Sequence, residues 1–159
     1  MPNWCENKLT VTGPSEALSQ LVDLCKGPSS VEGEGAVFLC FPNIIPQPHF
    51  TGEDEWYGWN CTNWGTKWAL SHEDFVQNDL SDEEWQLSFL SAWTPPEPII
   101  KELGRRFPQL FFKFEYGDPA MDFQGIIEIK YGQVIMEDVS KYTCGPISGE
   151  RECEEEEEE

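Results

Sequence analysis

Positive charge is scarce in this chain. Ten Lys and Arg face thirty Asp and Glu, leaving a formal charge of −20 over 159 residues. Such a surface repels phosphate backbones and anionic headgroups, so neither direct nucleic-acid binding nor membrane binding is expected. Histidine is scarcer still, at two residues, His49 and His72. The six cysteines (5, 25, 40, 61, 144 and 153) form no C-x-x-C pair, and their spacing with the histidines fits no standard zinc site. No metal and no cofactor is therefore expected, and the cysteines read as free thiols. Long apolar runs are missing too, which excludes a membrane-spanning helix. The start, Met1 to Glu6, lacks a basic segment leading into an apolar one, so the cytoplasm is the expected compartment. Also absent are G-x-S-x-G, the P-loop, H-E-x-x-H and G-x-G-x-x-G. No catalytic residue can be assigned on motif grounds.

Two things are present in excess. One is acid. Eight glutamates fall in residues 150–159, yet the first 149 residues still carry −13. The other is aromatic area: 13% of residues, including seven tryptophans. Tryptophan supplies large contact area with few rotatable bonds, and so serves both cores and binding surfaces.

The pattern of apolar residues predicts one α+β domain over 1–144 and a disordered acidic tail over 145–159. Residues 4–12 alternate as a half-buried strand with Cys5, Asn7, Leu9 and Val11 on one face. Ser15 is positioned to cap a helix whose stripe is Leu18, Leu21, Val22 and Cys25. Residues 36–41 predict a short buried strand, and Pro42 to Thr66 a long irregular loop. Residues 67–77 allow a strand. Residues 85–93 predict one more clearly, with Trp85, Leu87, Phe89 and Trp93 on one face and 78–84 as the hairpin connection. Thr94-Pro95-Pro96-Glu97 predicts a capped helix start, with Ile99, Ile100, Leu103 and Phe107 as its buried stripe and Gly104 marking close packing on a sheet. Strands follow at 110–116, at 123–131 with a bulge at Gly125, and near 133–138. The resulting β-α-β-β-α-β order, with extra strands, is the split βαβ or ferredoxin-like arrangement: an antiparallel sheet with two helices on one face and a long Trp-rich insertion.

The insertion is the candidate site. Between residues 56 and 68 stand Trp56, Tyr57, Trp59, Trp64 and Trp68, interleaved with Asn63, Thr66 and Lys67. Flat rings stack on bases or other rings, amides and hydroxyls set hydrogen-bond specificity, and Lys67 suits a phosphate or carboxylate. Trp93 joins the same set. The alternative is that these tryptophans form a private core for the insertion. Glu53, Asp54 and Glu55 make an acidic surface beside it, read as a solvated face rather than an acid/base pair.

Four stretches, MPNWCENKLTVTGP, FPNIIPQP, WYGWNCTNWGTKWAL and AWTPPEPIIKELGRRFPQLFF, resemble the YubB or Api-type family of phage and plasmid proteins. The resemblance spans roughly 1–131, and its most specific strings are Asn63 to Trp68 and Ala92 to Pro96. It implies a ferredoxin-like domain and a mobile-element origin, and brings no catalytic residue or cofactor. Together these readings lead to an expectation: a non-enzymatic accessory protein in the host cytoplasm. It would block a host component, a defence factor with a basic surface, as a mimic of the DNA phosphate array does. Two alternatives stand beside it: a binder of nucleotides or nucleotide signals that uses the aromatic residues, and an enzyme acting on nucleic acid or nucleotide.

Overall fold

The computed structural model describes residues 4–31, 33, 35–143 and 145–146. Its centre is β1 (Trp4–Thr12), where Cys5, Asn7, Leu9 and Val11 are all fully buried. The predicted alternation holds even for Asn7. Its amide is satisfied by the Cys5 carbonyl at 3.0 Å, the Phe89 carbonyl at 3.3 Å and Ser91 Oγ at 2.9 Å. A buried amide with three acceptors costs little, whereas an orphaned one would cost about 1–3 kcal/mol.

Helix α1 (Ser15–Cys25) follows, then a two-residue strand pair, β2 (Gly27–Pro28) and β3 (Ala36–Val37). After a one-turn helix α2 (Phe41–Ile44) come α3 (Glu55–Asn63) and a 3₁₀ turn at His72–Asp74. The remaining elements are β4 (Phe75–Leu80), β5 (Glu84–Ala92), α4 (Glu97–Arg106), β6 (Phe111–Asp118), β7 (Phe123–Lys130) and β8 (Gln133–Ser140). The main sheet runs β4-β5-β1-β6-β7-β8, every pair antiparallel. The crossover through α1 leaves a slot that β5 fills, and the crossover through α4 leaves one that β1 fills. That is the split βαβ, ferredoxin-like order, extended by β7 and β8. None of the described helices is long and apolar enough to cross a membrane.

One sheet face, with Leu9, Leu87, Phe89, Phe112, Phe114 and Ile127, packs against the helices. Phe89 and Phe114 stack there at 6.5 Å and 19°. The opposite face is polar, and residues beyond β8 cross it. The Thr143 amide donates to Gln124 Oε1 at 2.9 Å, the Tyr142 ring lies against Gly117, and Gly145 is buried beside Glu6. Of the tail expected over 145–159, Gly145 and Pro146 are described, and Gly145 is buried; residues 147–159, with Cys153, and Cys144 lie outside the described residues.

Several expectations are corrected. The strand expected at 36–41 shrinks to Ala36–Val37, because Phe41 and Ile44 turn into α2 and bury there. The irregular loop expected from Pro42 to Thr66 contains α2 and α3. Ser15 does not cap α1 with its side chain; Pro14 occupies the cap position. Thr94 does not cap α4, which starts after Pro96, because its hydroxyl is used elsewhere. Gly125 is no bulge. Its register is regular and it makes room for the Tyr116 ring, while the irregularity falls between Glu128 and Ile129. Gly104 does mark close packing: a Cβ there would sit 2.6 Å from Ile129 Cγ2 on β7. Gly104→Ala should therefore destabilise the protein by about 1–3 kcal/mol in denaturant titration. That is opposite in sign to the gain of roughly 1 kcal/mol expected from helix propensity alone.

Candidate functional site

The Trp-rich segment divides into an inner and an outer half. Trp64 ends α3 and turns inward. It is 2% exposed, its indole Nε1 donates to the Ile45 carbonyl at 2.9 Å, and its ring packs edge-on to Phe41 at 5.6 Å and Trp59 at 5.4 Å. Trp59 in turn packs on Phe50. Asn60 is buried and two-sided: Oδ1 accepts from Gln47 Nε2 at 2.6 Å and Nδ2 donates to the Lys67 carbonyl at 2.9 Å. Asn63 Nδ2 donates back to the Trp59 carbonyl at 2.9 Å. These residues are a private core for the insertion, which explains how a helix with little apolar stripe holds its place.

The outer half is built on strain. β5 ends at Ala92, and Trp93 has φ 76°. The Thr94 amide donates to the Ala92 carbonyl at 3.0 Å, closing a three-residue turn around it. A γ-turn with positive φ is rare, and for a bulky residue costs on the order of 1–3 kcal/mol unless its surroundings hold it. Here they do. Thr66 Oγ1 donates to the same Ala92 carbonyl at 2.6 Å, Thr94 Oγ1 donates to the Gly65 carbonyl, and Ser91 Oγ donates to the Thr94 carbonyl at 2.7 Å. The strings 63–68 and 92–96 are thus clasped to each other. Trp93, expected on the buried face of the strand, is instead 44% exposed.

Around Trp93 the outer residues collect. Tyr57 meets its ring edge-on at 6.4 Å, and Trp56 packs on Tyr57. The Lys67 ammonium lies 4.6 Å from the Trp68 ring centre and 5.2 Å from that of Trp93. Among the described residues it has no carboxylate within 4.0 Å. Trp68 continues to Trp4 at 6.5 Å. The result is a row of rings with one cation in it, from Trp4 through Trp68, Lys67 and Trp93 to Tyr57 and Trp56.

Beside this row is a hollow of about 470 Å³, walled by Tyr57, Lys67, Trp93, Pro95, Glu97 and Cys61. Its volume suits a small molecule. Burial and, secondarily, the nearby Glu97 charge raise the Tyr116 phenol. A larger hollow of about 820 Å³ between Gly13 and Glu84 is edged by Asp82, Glu83 and Glu84 and has no ring in its wall. Glu53, Asp54 and Glu55 are exposed at the start of α3 and do not line the aromatic hollow. His49 and His72 are exposed, and the described residues hold no cluster of three metal-binding groups. Sequence reasoning missed Trp4, Gly65, Thr94 and Glu97. Only a contact across the fold gives these residues a place in the site.

The thiols report on this geometry. Burial, reinforced by Asp118, pushes Cys5 up to about 12, and burial raises Cys25 and Cys40 as well. Cys61 is exposed on the hollow's wall. With Cys144 and Cys153 replaced by serine, iodoacetamide at neutral pH should label Cys61 alone, since the thiolate is the reacting form. Mass spectrometry after limited labelling checks this.

A family model for the ferredoxin-like domain in Api92-like protein matches residues 63–159. The match begins at Asn63 and takes in Lys67, Trp68 and Trp93. The crystal structure of the protein api92 from Yersinia pseudotuberculosis superposes with a TM-score of 0.66 at 13% identity, covering 92% of this chain and 100% of that one. That likeness is one of fold. No curated protein matches the sequence. The chain belongs to the Api92-like family.

Proposed function

We propose that this Api92-like protein captures a small anionic aromatic ligand, by its chemistry a nucleotide, at the hollow between Tyr57, Lys67 and Trp93. The observation that carries the reading is Lys67. Acids outnumber bases three to one in this chain, yet its ammonium lies against two indole faces with no carboxylate within ion-pair distance among the described residues. A cation so placed offers its charge to a ligand phosphate. Trp93 and Tyr57 offer faces to a base, worth about 1–3 kcal/mol per stacked base. Glu97 supplies an acceptor for an amine or ribose hydroxyl. The strained turn under Trp93 supports the same reading, since strain of this kind concentrates at ligand sites.

In this reading the protein acts stoichiometrically in a host cytoplasm, as a phage or plasmid accessory protein that sequesters a nucleotide signal. The test is a tryptophan-fluorescence titration with nucleoside mono- and dinucleotides and the matching nucleosides. Nucleotides should quench, with nucleosides weaker by about tenfold or more, the worth of one charge-assisted contact. A flat response to every member removes the reading.

A second reading, blockade of a basic host protein, draws support from Glu53, Asp54 and Glu55. They stand exposed where α3 begins, next to the exposed Tyr57. Its mark would be affinity that falls steeply with salt and with neutralisation of those three acids.

A further inference from the structure

Among the described residues the main sheet ends on β8, which pairs there only with β7. All eight of its residues are exposed. Val134, Ile135, Met136 and Val139 are between 37% and 60% exposed, and Tyr131 stands in the turn before them at 75%. An open edge presents a row of backbone donors and acceptors that only another extended backbone can match, and an apolar edge invites such pairing. Natural edges are guarded by charge; on β8 itself both charges are acidic, while Lys130 of β7, opposite Gln133, and Lys141 flank the two ends of the strand. Glu137 and Asp138 lie on the strand, and Glu128 pairs with Met136 on the polar side of the sheet. Lys101 answers Glu137 at 3.4 Å, while Asp138 has no ion pair within 4.0 Å among the described residues.

We infer that β8 is a docking edge for an extended segment of a basic protein, which adds as a seventh strand to the main sheet. The backbone row gives affinity and the side chains give selection. A second copy of this chain is disfavoured, because it brings its own Glu137 and Asp138 to the edge and another −20 of net charge. A segment alternating apolar residues with Lys or Arg meets both features. Its apolar side chains cover Val134 and Val139, and its cations face Asp138 and Glu128. This edge is a separate surface from the aromatic hollow, so the two readings stand or fall independently.

The experiment uses the full chain and a capped eight-residue peptide of alternating valine and lysine, followed by amide hydrogen exchange. The expected result is exchange slowed by about tenfold or more within 133–140, with the helix amides unchanged. The double variant Ile135→Lys/Asp138→Lys, both positions being exposed, should weaken peptide binding by about tenfold or more. Trp93→Ala should leave it unchanged. Unaltered β8 exchange at saturating peptide would overturn the proposal. So would equal binding of a valine-glutamate peptide, full binding by the double variant, or a dimer in sedimentation whose β8 amides are protected without peptide.

Discussion

Trp64→Ala should cost about 3–5 kcal/mol of stability, the usual range for emptying a buried tryptophan site. The ring fills space against Phe41 and Trp59, and its removal orphans the Ile45 carbonyl as well. In a chain of this size that loss lowers the melting temperature by on the order of 10 °C. Calorimetry or denaturant titration reads it directly. The loss should be felt first in the insertion, because Trp64 closes α3 and sits two residues before Thr66, which holds the Ala92 carbonyl. Hydrogen exchange should therefore show 55–68 opening before the central strands do.

Trp93→Gly should have the opposite profile. Glycine accepts φ 76° without strain, which offsets the lost contacts to Lys67 and Tyr57. Stability should stay within about 1 kcal/mol of the parent. Nucleotide affinity should fall by roughly ten- to hundredfold, the worth of one stacked ring. Two tryptophans in one segment then give two distinct phenotypes, one lost fold and one lost binding. Equal losses of stability in both variants would mean that Trp93 is also structural.

The elements that sequence periodicity revealed are those whose side chains pack by face. Alternation marks β1, β5, β6 and β7 because one side of each lies on the core, and the stripe of Ile99, Ile100 and Leu103 marks α4 for the same reason. Helix α3 has no such signature. Glu55 to Asn63 contains Gly58, Asn60 and Thr62, poor helix formers, and no continuous apolar stripe. Its order comes from Gln47 on Asn60 and from Trp59 against Trp64, partners that no local window contains. Spacing alone puts Trp93 on the buried face, because it continues the phase of Trp85, Leu87 and Phe89, while the turn that flips it depends on Thr66, far away in sequence. Likewise the sequence could nominate Lys67 and the tryptophans as a group. It could not divide them into those facing inward and those facing out, since that division is made by hydrogen bonds to Ile45, Lys67 and Ala92.

The seven tryptophans make that division directly measurable, because each indole N–H gives its own signal in a ¹⁵N–¹H spectrum. With each signal assigned by single substitution, addition of a quenching nucleotide should move those of Trp93 and Trp68 and leave those of Trp64 and Trp85 in place. Movement of Trp64 together with Trp93, or of neither Trp93 nor Trp68 at saturation, would contradict the division into a structural half and a ligand-binding half.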